Sequence, residues 1–346
     1  MLSADIIDDL EKDNIMVTIC LVAYNHAPYI ETTIQFILKQ EIDFKIQLLI
    51  HDDASTDGTN EIIRQYAKQY PKIITAIIQK ENKYQKNMAV DLDMIPYIYG
   101  KYVALCEGDD YWPTLQKLKM QVEYMETHPE VAGTGGLTRY YNDDGMECLE
   151  PMPKHQYVDG IVTKREFARW RGFNVATNTL LFKSEIMKDA NFICAKKISP
   201  KVGDILILAS IFERGDMYIF GECFQYHRIQ TRSNASNYNS LFDTTEKFRD
   251  VVRALNAVVQ CFQCHTIKKW YIQYVSIYFW VFLRSHNLKM FFEIIKGVIS
   301  SYRKYTVIAI LRTFFVFLPL TIGKHIKNAL GVEKERFLYI LNRSKD

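Results

Sequence analysis

A regular alternation of apolar segments and helical patterns in the first third of the chain limits the possible folds most strongly. The apolar segments have the length and composition of buried strands, and they lie at residues 15–23, 46–50, 74–79 and 101–106. A helical pattern separates each of these strands from the next. Because such an alternation builds right-handed βαβ units, the sequence predicts an α/β fold with a doubly wound, mostly parallel sheet.

Polar side chains follow three of these strands at the point where each strand ends. The first strand runs into YNH (24–26), the second into HDDASTD (51–57) and the fourth into EGDD (107–110). The carboxyl ends of parallel strands share one edge of the sheet, where ligands bind in such folds. An acidic turn that caps the next helix would explain EGDD alone. Three polar strand ends together favour a functional cleft instead.

The second half of the chain mixes both patterns. Strands are expected at 131–141 and 178–184, a last strand or hairpin at 217–228, and helices at 120–127, 164–171 and 204–215. From about Thr244 onward the pattern is helical and apolar. The expected organisation is an N-terminal tail (1–14), an α/β domain (15–240) and a helical, basic and aromatic-rich C-terminal region (241–346).

Charge and cysteine content bear on the partners and the compartment. The net charge is only +3, so composition gives no argument for a nucleic acid partner. The seven cysteines lack a framework spacing, which favours a reducing compartment over a secreted disulfide scaffold. The acidic start, MLSADIIDDLEKDN, lacks the basic and apolar regions of a signal peptide. We expect a cytoplasmic protein, and the sequence does not predict its oligomeric state.

The C-terminal region carries an excess of basic residues after residue 265. Segment 305–323 is nearly long enough to span a bilayer, but Arg312 near its centre would be costly there. Basic residues among many aromatics suit helices that lie on an anionic cytoplasmic leaflet. Peripheral membrane contact through 265–330 is therefore expected, while soluble packing, a dimer interface and a true span remain alternatives.

Four motifs in their order along the chain resemble those of the family 2 glycosyltransferases, which are nucleotide-sugar enzymes with the Rossmann-like GT-A fold. The motifs are VAYNHAPYI (22–30), HDDASTDGT (51–59), EGDDYWP (107–113) and VGDILILASIFERG (202–215). The resemblance covers residues 15–235. It implies an inverting, metal-dependent enzyme that moves one sugar from a nucleoside diphosphate sugar, with a UDP-sugar as the expected donor. The implied acceptor is a hydroxyl of a glycan or lipid-linked glycan in cell-surface polysaccharide assembly.

The resemblance assigns the acidic strand end EGDD to a metal site. It implies Asp110 as the metal ligand and Asp109 as the ribose contact, with Asp109 also close to the metal. Glu107 stands at the first place of an E-x-D spacing, so its participation stays open. Carboxylate oxygens suit a hard divalent cation such as Mg²⁺ or Mn²⁺, which stabilises the charge on a departing diphosphate.

The donor-binding residues implied by the resemblance come from several segments. Tyr24 is expected to pack on the base of the nucleotide, with Ala23 beside it, and Asp53 to accept a hydrogen bond from the base. His227 and Lys86 are expected near the diphosphate. For Arg228, Lys83 and Asn87 the same role is an alternative to that of solvated or structural residues. Asp52, Ser55 and Asp57 are assigned to the turn before the second helix.

Asp204 is the implied catalytic base, because an Asp that opens a helix beyond the metal site deprotonates the acceptor in inverting members of the family. An ordinary helix cap is the alternative for this residue. The segment EFARW (166–170) differs in order and in its first residue from the QxxRW motif of processive synthases, which favours single addition.

Two other functions compete with this interpretation. A nucleotidyltransferase on a similar sheet would be expected to carry a glycine-rich phosphate loop, and VAYNHAPYI has none. A catalytically inactive binding module would not need Asp109, Asp110 and Asp204 together.

Overall fold

The computed structural model of the chain describes residues 4–142, 159–169, 175–229 and 244–262. The strands are β1 (Ala4–Ile7), β2 (Ile15–Ala23), β3 (Lys45–Asp52), β4 (Ile74–Gln79), β5 (Tyr102–Glu107), β6 (Val131–Asn142), β7 (Gly160–Val162), β8 (Leu181–Lys183) and β9 (Asp216–Ile229). The helices are α1 (Ile30–Leu38), α2 (Thr59–Gln69), α3 (Asp91–Met94), α4 (Lys117–Thr127), α5 (Lys164–Arg169), α6 (Glu185–Lys188), α7 (Ala190–Ile198), α8 (Asp204–Arg214) and α9 (Thr244–Cys261).

The strands form one sheet in the order β1-β4-β3-β2-β5-β8-β6-β9-β7. Its central part, β4-β3-β2-β5, is entirely parallel, as the alternating pattern predicts. Strand β8 reverses the direction because it pairs antiparallel with both β5 and β6. Beyond it, β6 and β9 run parallel to each other. The predicted α/β class and mostly parallel sheet are confirmed.

The predicted N-terminal tail contains a strand. Residues Ala4–Ile7 form β1, which pairs antiparallel with β4 at the edge of the sheet. Asp5 in this strand lies 2.6 Å from Arg64 and 3.4 Å from Lys80. A strand of only four residues is too short to show a clear period, so the sequence pattern does not predict it.

Both faces of the sheet are covered, because successive side chains of a strand point to opposite sides. Ile19 of β2 is fully buried and packs with residues of α1, α2 and α4. Its neighbour Cys20 is buried on the other face, among residues of α7, α8 and α9. Each fully buried aliphatic side chain contributes about 1.5–3 kcal/mol, so the apolar strands gain most by lying between two helical layers. The fold is therefore doubly wound.

Helix α9 is the part of the predicted C-terminal region that lies within the described residues. It packs against α7 and α8 and buries Ala254, Leu255 and Val258 in the same core as those helices. None of the helices within the described residues is long and apolar enough to cross a membrane. The segment 265–330, which we expect to contact a membrane, lies outside the described residues.

Candidate active site

The polar strand ends meet at one edge of the sheet, as predicted. Val22 is the register partner of Glu107, and Ala23 is that of Asp52. The pairing continues for one residue beyond the strands, since Asp53 N–H donates to the Ala23 carbonyl at 2.9 Å. Backbone pairing in the parallel register is therefore enough to fix the relative positions of the three polar segments, without contacts between their side chains.

Three carboxylates at the end of β5 could hold a metal ion. One oxygen each of Glu107, Asp109 and Asp110 lies within 4.8 Å of the others. Glu107 remains exposed, yet its pKa is raised to about 8, first because the surrounding protein reduces the hydration of its carboxylate and then because Asp110 and Asp109 repel it. Burial also raises the pKa of Asp109. A divalent cation with oxygen ligands would relieve this repulsion, so these donors fit Mg²⁺ or Mn²⁺.

Asp110 is fully buried and is held by residues of two separate segments. Its Oδ2 accepts hydrogen bonds from the Asn178 and Gln225 amides, each at 2.6 Å, and lies 3.1 Å from His227 Nδ1. Its Oδ1 accepts from the Arg228 N–H at 2.9 Å. A carboxylate has about four acceptor positions, so protein donors already occupy most of them. Asp110 therefore connects the end of β5 to β9.

Opposing effects act on the pKa values of Asp110 and His227. Burial alone would raise the pKa of Asp110, but the His227 charge and the donated hydrogen bonds hold it below the ordinary value. Burial would likewise lower the pKa of His227, yet the Asp110 carboxylate overcomes this effect and raises it to about 9. Imidazolium is then the predominant form at neutral pH, and a positive charge lies beside the acidic cluster.

Arg228 and His26 also lie beside the acidic cluster. The Arg228 Nε donates to the Asp109 carbonyl at 3.3 Å, and the guanidinium lies 4.3 Å from the centre of the Tyr29 ring. His26 Nε2 lies 3.9 Å from Asp109 Oδ2. Gly108 is required between the acidic residues, because a Cβ there would lie only 2.8 Å from His26 Nδ1.

Asp204 opens α8 and lies near the same cluster. Gly203 is the capping residue of this helix, so Asp204 occupies its first turn and does not provide the cap. The Asp204 carboxylate is exposed, accepts the Ile205 N–H at 2.7 Å and contributes to raising the pKa of Glu107. The structure thus brings Asp204 to the acidic cluster across about a hundred residues of sequence.

The first two strand ends are held by a network of turn contacts. Asp52 accepts both the N–H and the hydroxyl of Ser55, and Ser55 Oγ accepts the Asn25 N–H at 2.9 Å. Asp57 accepts the Ala27 N–H at 2.9 Å. Asp52, Ser55 and Asp57 therefore have the structural roles in the turn that the sequence predicts. The network also fixes the backbone beside Ala23 and the half-buried Tyr24.

Asp53 binds the loop that follows β4. Its carboxylate oxygens accept the N–H groups of Lys83 and Tyr84 at 2.8 and 2.9 Å. Each oxygen keeps capacity for another hydrogen bond, so the predicted base contact is compatible with this arrangement. The contacts also fix the orientation of the carboxylate.

The lysines of this loop have protein partners. Lys83 is buried and its ammonium pairs with Asp93, which is the structural alternative for this residue. Lys86 and Asn87 are exposed, and Lys86 pairs with Glu81. None of these contacts connects Lys86 to the acidic cluster, so its predicted diphosphate contact stays a prediction.

Sequence reasoning missed the two amides that bind Asp110. Asn178 lies in a short 3-10 turn before β8, and Gln225 lies in the middle of β9. Neither residue belongs to a motif, and isolated amides have no pattern that would distinguish them from structural residues. Both residues are far from Asp110 in sequence, and only the order of the strands in the sheet brings them close to it.

Sequence comparisons identify the family. The family described as Glycosyl transferase family 2 matches residues 18–186. The chain is 34% identical over 247 residues to the UDP-Glc:alpha-D-GlcNAc-diphosphoundecaprenol beta-1,3-glucosyltransferase WfaP of Escherichia coli, a match that covers 62% of this chain and 93% of WfaP. It is 36% identical over 139 residues to an uncharacterized protein of Mycobacterium tuberculosis. The match spans 39% of the length of that relative.

Two solved structures share the fold. TarS of S. aureus in complex with UDP-GlcNAc aligns with a TM-score of 0.63 and 12% identity, over 96% of this chain and 92% of the TarS chain. The mannosyltransferase PcManGT from Pyrobaculum calidifontis, in complex with GDP-Man and Mn²⁺, aligns with a TM-score of 0.51 and 14% identity, over 98% of this chain and 88% of its own. These two structures support the fold, while the family match and the similarity to WfaP remove the nucleotidyltransferase alternative. The chain belongs to the family 2 glycosyltransferases and has their GT-A fold.

Proposed function

We propose that this glycosyltransferase is an inverting, metal-dependent enzyme that adds one sugar from a UDP-sugar to a hydroxyl of a lipid-linked glycan during cell-surface polysaccharide assembly. The observation that carries the proposal is that Asp204 lies near enough to the Glu107, Asp109 and Asp110 cluster to contribute to raising the pKa of Glu107. A base near a metal-binding cluster is what a direct displacement requires.

Glu107 and Asp109 are the residues best placed to offer oxygens to the cation. Most acceptor positions of Asp110 are taken by Asn178, Gln225, His227 and Arg228, so Asp110 contributes at most one free position. When bound, Mg²⁺ or Mn²⁺ supplies a Lewis acid that stabilises the diphosphate leaving group. The Mn²⁺ in the complex of PcManGT supports a cation of this class.

Asp204 acts as the base in this mechanism. Its carboxylate accepts the proton of the acceptor hydroxyl while that oxygen forms a bond to the anomeric carbon. The bond from this carbon to the diphosphate breaks in the same step, and the electron pair leaves with the diphosphate. Attack from the face opposite the leaving group inverts the anomeric configuration, and no covalent enzyme intermediate is needed. Exposure of Asp204 to the cleft supports this role.

The donor is held by residues at the ends of β2 and β3. Tyr24 packs on the base, Ala23 lies beside it, and Asp53 accepts a hydrogen bond from the base. The two N–H groups that orient Asp53 support this assignment, since a fixed acceptor selects one edge of a base. UDP-GlcNAc in TarS and the UDP-Glc in the name of WfaP support a uridine nucleotide. His227 and Arg228 are placed to offset the charge of the diphosphate.

The names of two relatives support the proposed acceptor and location. The name of WfaP specifies a sugar on diphosphoundecaprenol, which supports a lipid-linked acceptor here. Another relative, TuaG of Bacillus subtilis, is named for teichuronic acid biosynthesis. A lipid-linked acceptor requires access to a membrane surface, so we place the protein at the inner face of the cytoplasmic membrane. Contact through the basic and aromatic segment 265–330 would provide this access.

A donor screen tests the proposal. The full chain is incubated with UDP-Glc, UDP-GlcNAc and GDP-Man, with Mn²⁺, with Mg²⁺ or with EDTA, and with a synthetic GlcNAc-diphosphate lipid. We expect release of UDP that depends on the metal and a product that carries one added sugar with inverted configuration. Activity that is unchanged in EDTA would overturn the metal requirement, and a retained configuration would overturn the mechanism.

Liposome flotation of the full chain beside a chain ending at residue 262 tests the membrane contact. Equal flotation of the two chains would exclude contact through 265–330.

A further inference from the structure

An ion pair between the buried Lys196 and the partly exposed Asp91 joins α7 to α3. Lys196 of α7 is only 2% exposed, and its Nζ lies 2.6 Å from a carboxylate oxygen of Asp91. The same ammonium donates to the Pro200 carbonyl at 3.0 Å. An unpaired buried ammonium would cost several kcal/mol, so both acceptors must stay in place around it.

Asp91 belongs to the donor side of the cleft. It opens α3, at the end of the loop whose Lys83 and Tyr84 N–H groups bind Asp53. The Lys83 ammonium pairs with Asp93 in the same short helix, so this loop is fixed independently of Lys196. The ion pair therefore reaches α7 from a part of the protein that is already rigid.

Pro200 belongs to the segment that leads into the proposed base. Residues 199–203 connect α7 to α8, and Asp204 is the next residue. A Cβ added to Gly203 would lie 3.7 Å from Asp91 Oδ2 and 3.7 Å from Lys196 Nζ. The residue before Asp204 thus lies directly on the ion pair, and the segment folds around the Lys196 ammonium.

We propose that Lys196 is a positioning residue, which holds the start of α8, and with it Asp204, at a fixed place relative to the donor side of the cleft. The proposal rests on the proposed function of Asp204 as the base. Replacing a buried ion pair by neutral groups often leaves stability unchanged, so stability alone does not explain why a charge lies here. The need to hold Asp204 in position explains the charge, because a shift of about 1 Å in a catalytic group costs about 100-fold in rate.

The first test compares Lys196→Met with Lys164→Met. Lys164 donates to the Glu213 carbonyl at 2.9 Å, at the opposite end of the same helix from Asp204. Lys164→Met is therefore the matched control, because it also removes a contact between a lysine and the α8 region. In hydrogen exchange on the full chain, we expect amides of 199–207 to exchange at least about 10-fold faster in Lys196→Met only. Unchanged exchange there, or equal acceleration in both variants, would overturn the proposal.

The second test separates position from stability. Lys196→Met alone leaves the Asp91 charge without its partner and lowers the melting temperature. The double variant with Asp91→Asn removes that charge, so we expect its melting temperature to recover, while fast exchange at 199–207 persists because the Pro200 contact is still missing. Recovery of slow exchange together with stability would mean that the pair is only structural. The double variant also keeps the test valid if the single variant does not fold.

The third test measures transfer with UDP-Glc, Mn²⁺ and the GlcNAc-diphosphate lipid. We expect kcat about 100-fold lower in the double variant, with the dissociation constant for UDP unchanged, because Lys83 and Asp53 hold the donor side without Lys196. Asp204→Asn is measured in parallel. If Asp204→Asn keeps its activity, the proposed function fails. If Asp204→Asn is inactive while the double variant keeps full kcat, the positioning role fails instead.

Discussion

His227 Nδ1 lies 3.1 Å from Asp110 Oδ2, which joins the last long strand of the sheet to the acidic end of β5. The Gln225 amide reaches the same oxygen from two residues earlier in β9, and the Arg228 N–H reaches Oδ1. Strand alternation puts Gln225 and His227 on one face, so a single strand surrounds one buried carboxylate. Asp110 is therefore enclosed by protein donors, whereas Asp109 lies beside His26 and Arg228.

We predict that Asp110 and Asp109 respond differently to substitution. Asp110→Ala leaves four donors without their acceptor and should lower the free energy of unfolding by about 3–5 kcal/mol. Asp109→Asn removes a carboxylate whose pKa is raised by burial, so stability should be kept or increased. Thermal unfolding, with Mn²⁺ affinity and UDP release measured in the same preparations, checks both statements. A stable Asp110→Ala protein would contradict the anchoring role, and normal Mn²⁺ affinity in Asp109→Asn would contradict its place at the metal.

Asp204→Asn should lower kcat by about 100- to 10,000-fold, because general base catalysis contributes factors of this size. The affinity for UDP with Mn²⁺ should stay unchanged, because Asp204 does not touch the donor nucleotide in the proposed mechanism. Stopped turnover assays and titration calorimetry provide the two measurements. The control is Asp189→Asn, at another helix start, where Asp189 accepts the Asn191 N–H at 2.7 Å. That change should leave kcat unaltered, so equal kcat losses in both variants would count against the catalytic role.

The stability of the protein should depend on pH through Lys117. Its side chain is fully buried over the Trp112 ring, and burial lowers its pKa to about 7 from the ordinary 10.5. Between these two values the unfolded chain binds more protons than the folded one, so this lysine makes the folded state more stable as pH rises. Lys117→Met removes the effect. We expect it to be more stable than the wild type near pH 6, with a difference that shrinks toward pH 9.

Urea unfolding of the two proteins at pH 6, 7.5 and 9 measures that difference directly, since all other titrating groups are common to both. A difference that stays constant over this range would show that Lys117 keeps the same protonation state in the folded and unfolded protein.

Glu166 should matter for stability and not for transfer. Its carboxylate accepts both the N–H and the hydroxyl of Thr163 at 2.9 Å, while its own N–H donates to that hydroxyl, which is a capping box at the start of α5. Glu166→Ala should lower the free energy of unfolding by about 1 kcal/mol. The product should still carry one added sugar. If kcat fell at unchanged stability, EFARW would have to be reconsidered as a catalytic motif.

Most of the central sheet follows from local sequence. Strands β2 to β5 lie within two residues of the predicted ends, because a strand covered on both faces is a continuous apolar segment bounded by polar residues. Helices α6 and α7 were not predicted. Their 14-residue segment is short and interrupted at Asp189, where one helix ends and the next is capped, so its period is too brief to recognise.

For the candidate site too, the local motifs could be predicted from sequence and the long-range contacts could not. The motifs identified Asp53, Asp109, Asp110 and Asp204, and the parallel register of β2, β3 and β5 follows from the alternating pattern. The sequence predicts Lys86 near the diphosphate and leaves the same role for Lys83 as an alternative. In the structure Lys86 pairs with Glu81 of its own loop and Lys83 with Asp93 of α3. A lysine's sequence neighbourhood does not reveal which carboxylate it meets after folding.

The sequence by itself determined the α/β class, the family and the edge of the sheet at which chemistry takes place, because strand and helix periods and strand-end residues are local properties. Only the tertiary structure decided which of two adjacent aspartates, Asp110, is enclosed by protein donors. It also decided that Lys196 lies between Asp91 and the segment before Asp204. These contacts join residues far apart in the chain, and their geometry depends on the strand order and on how α7 and α8 pack against the sheet.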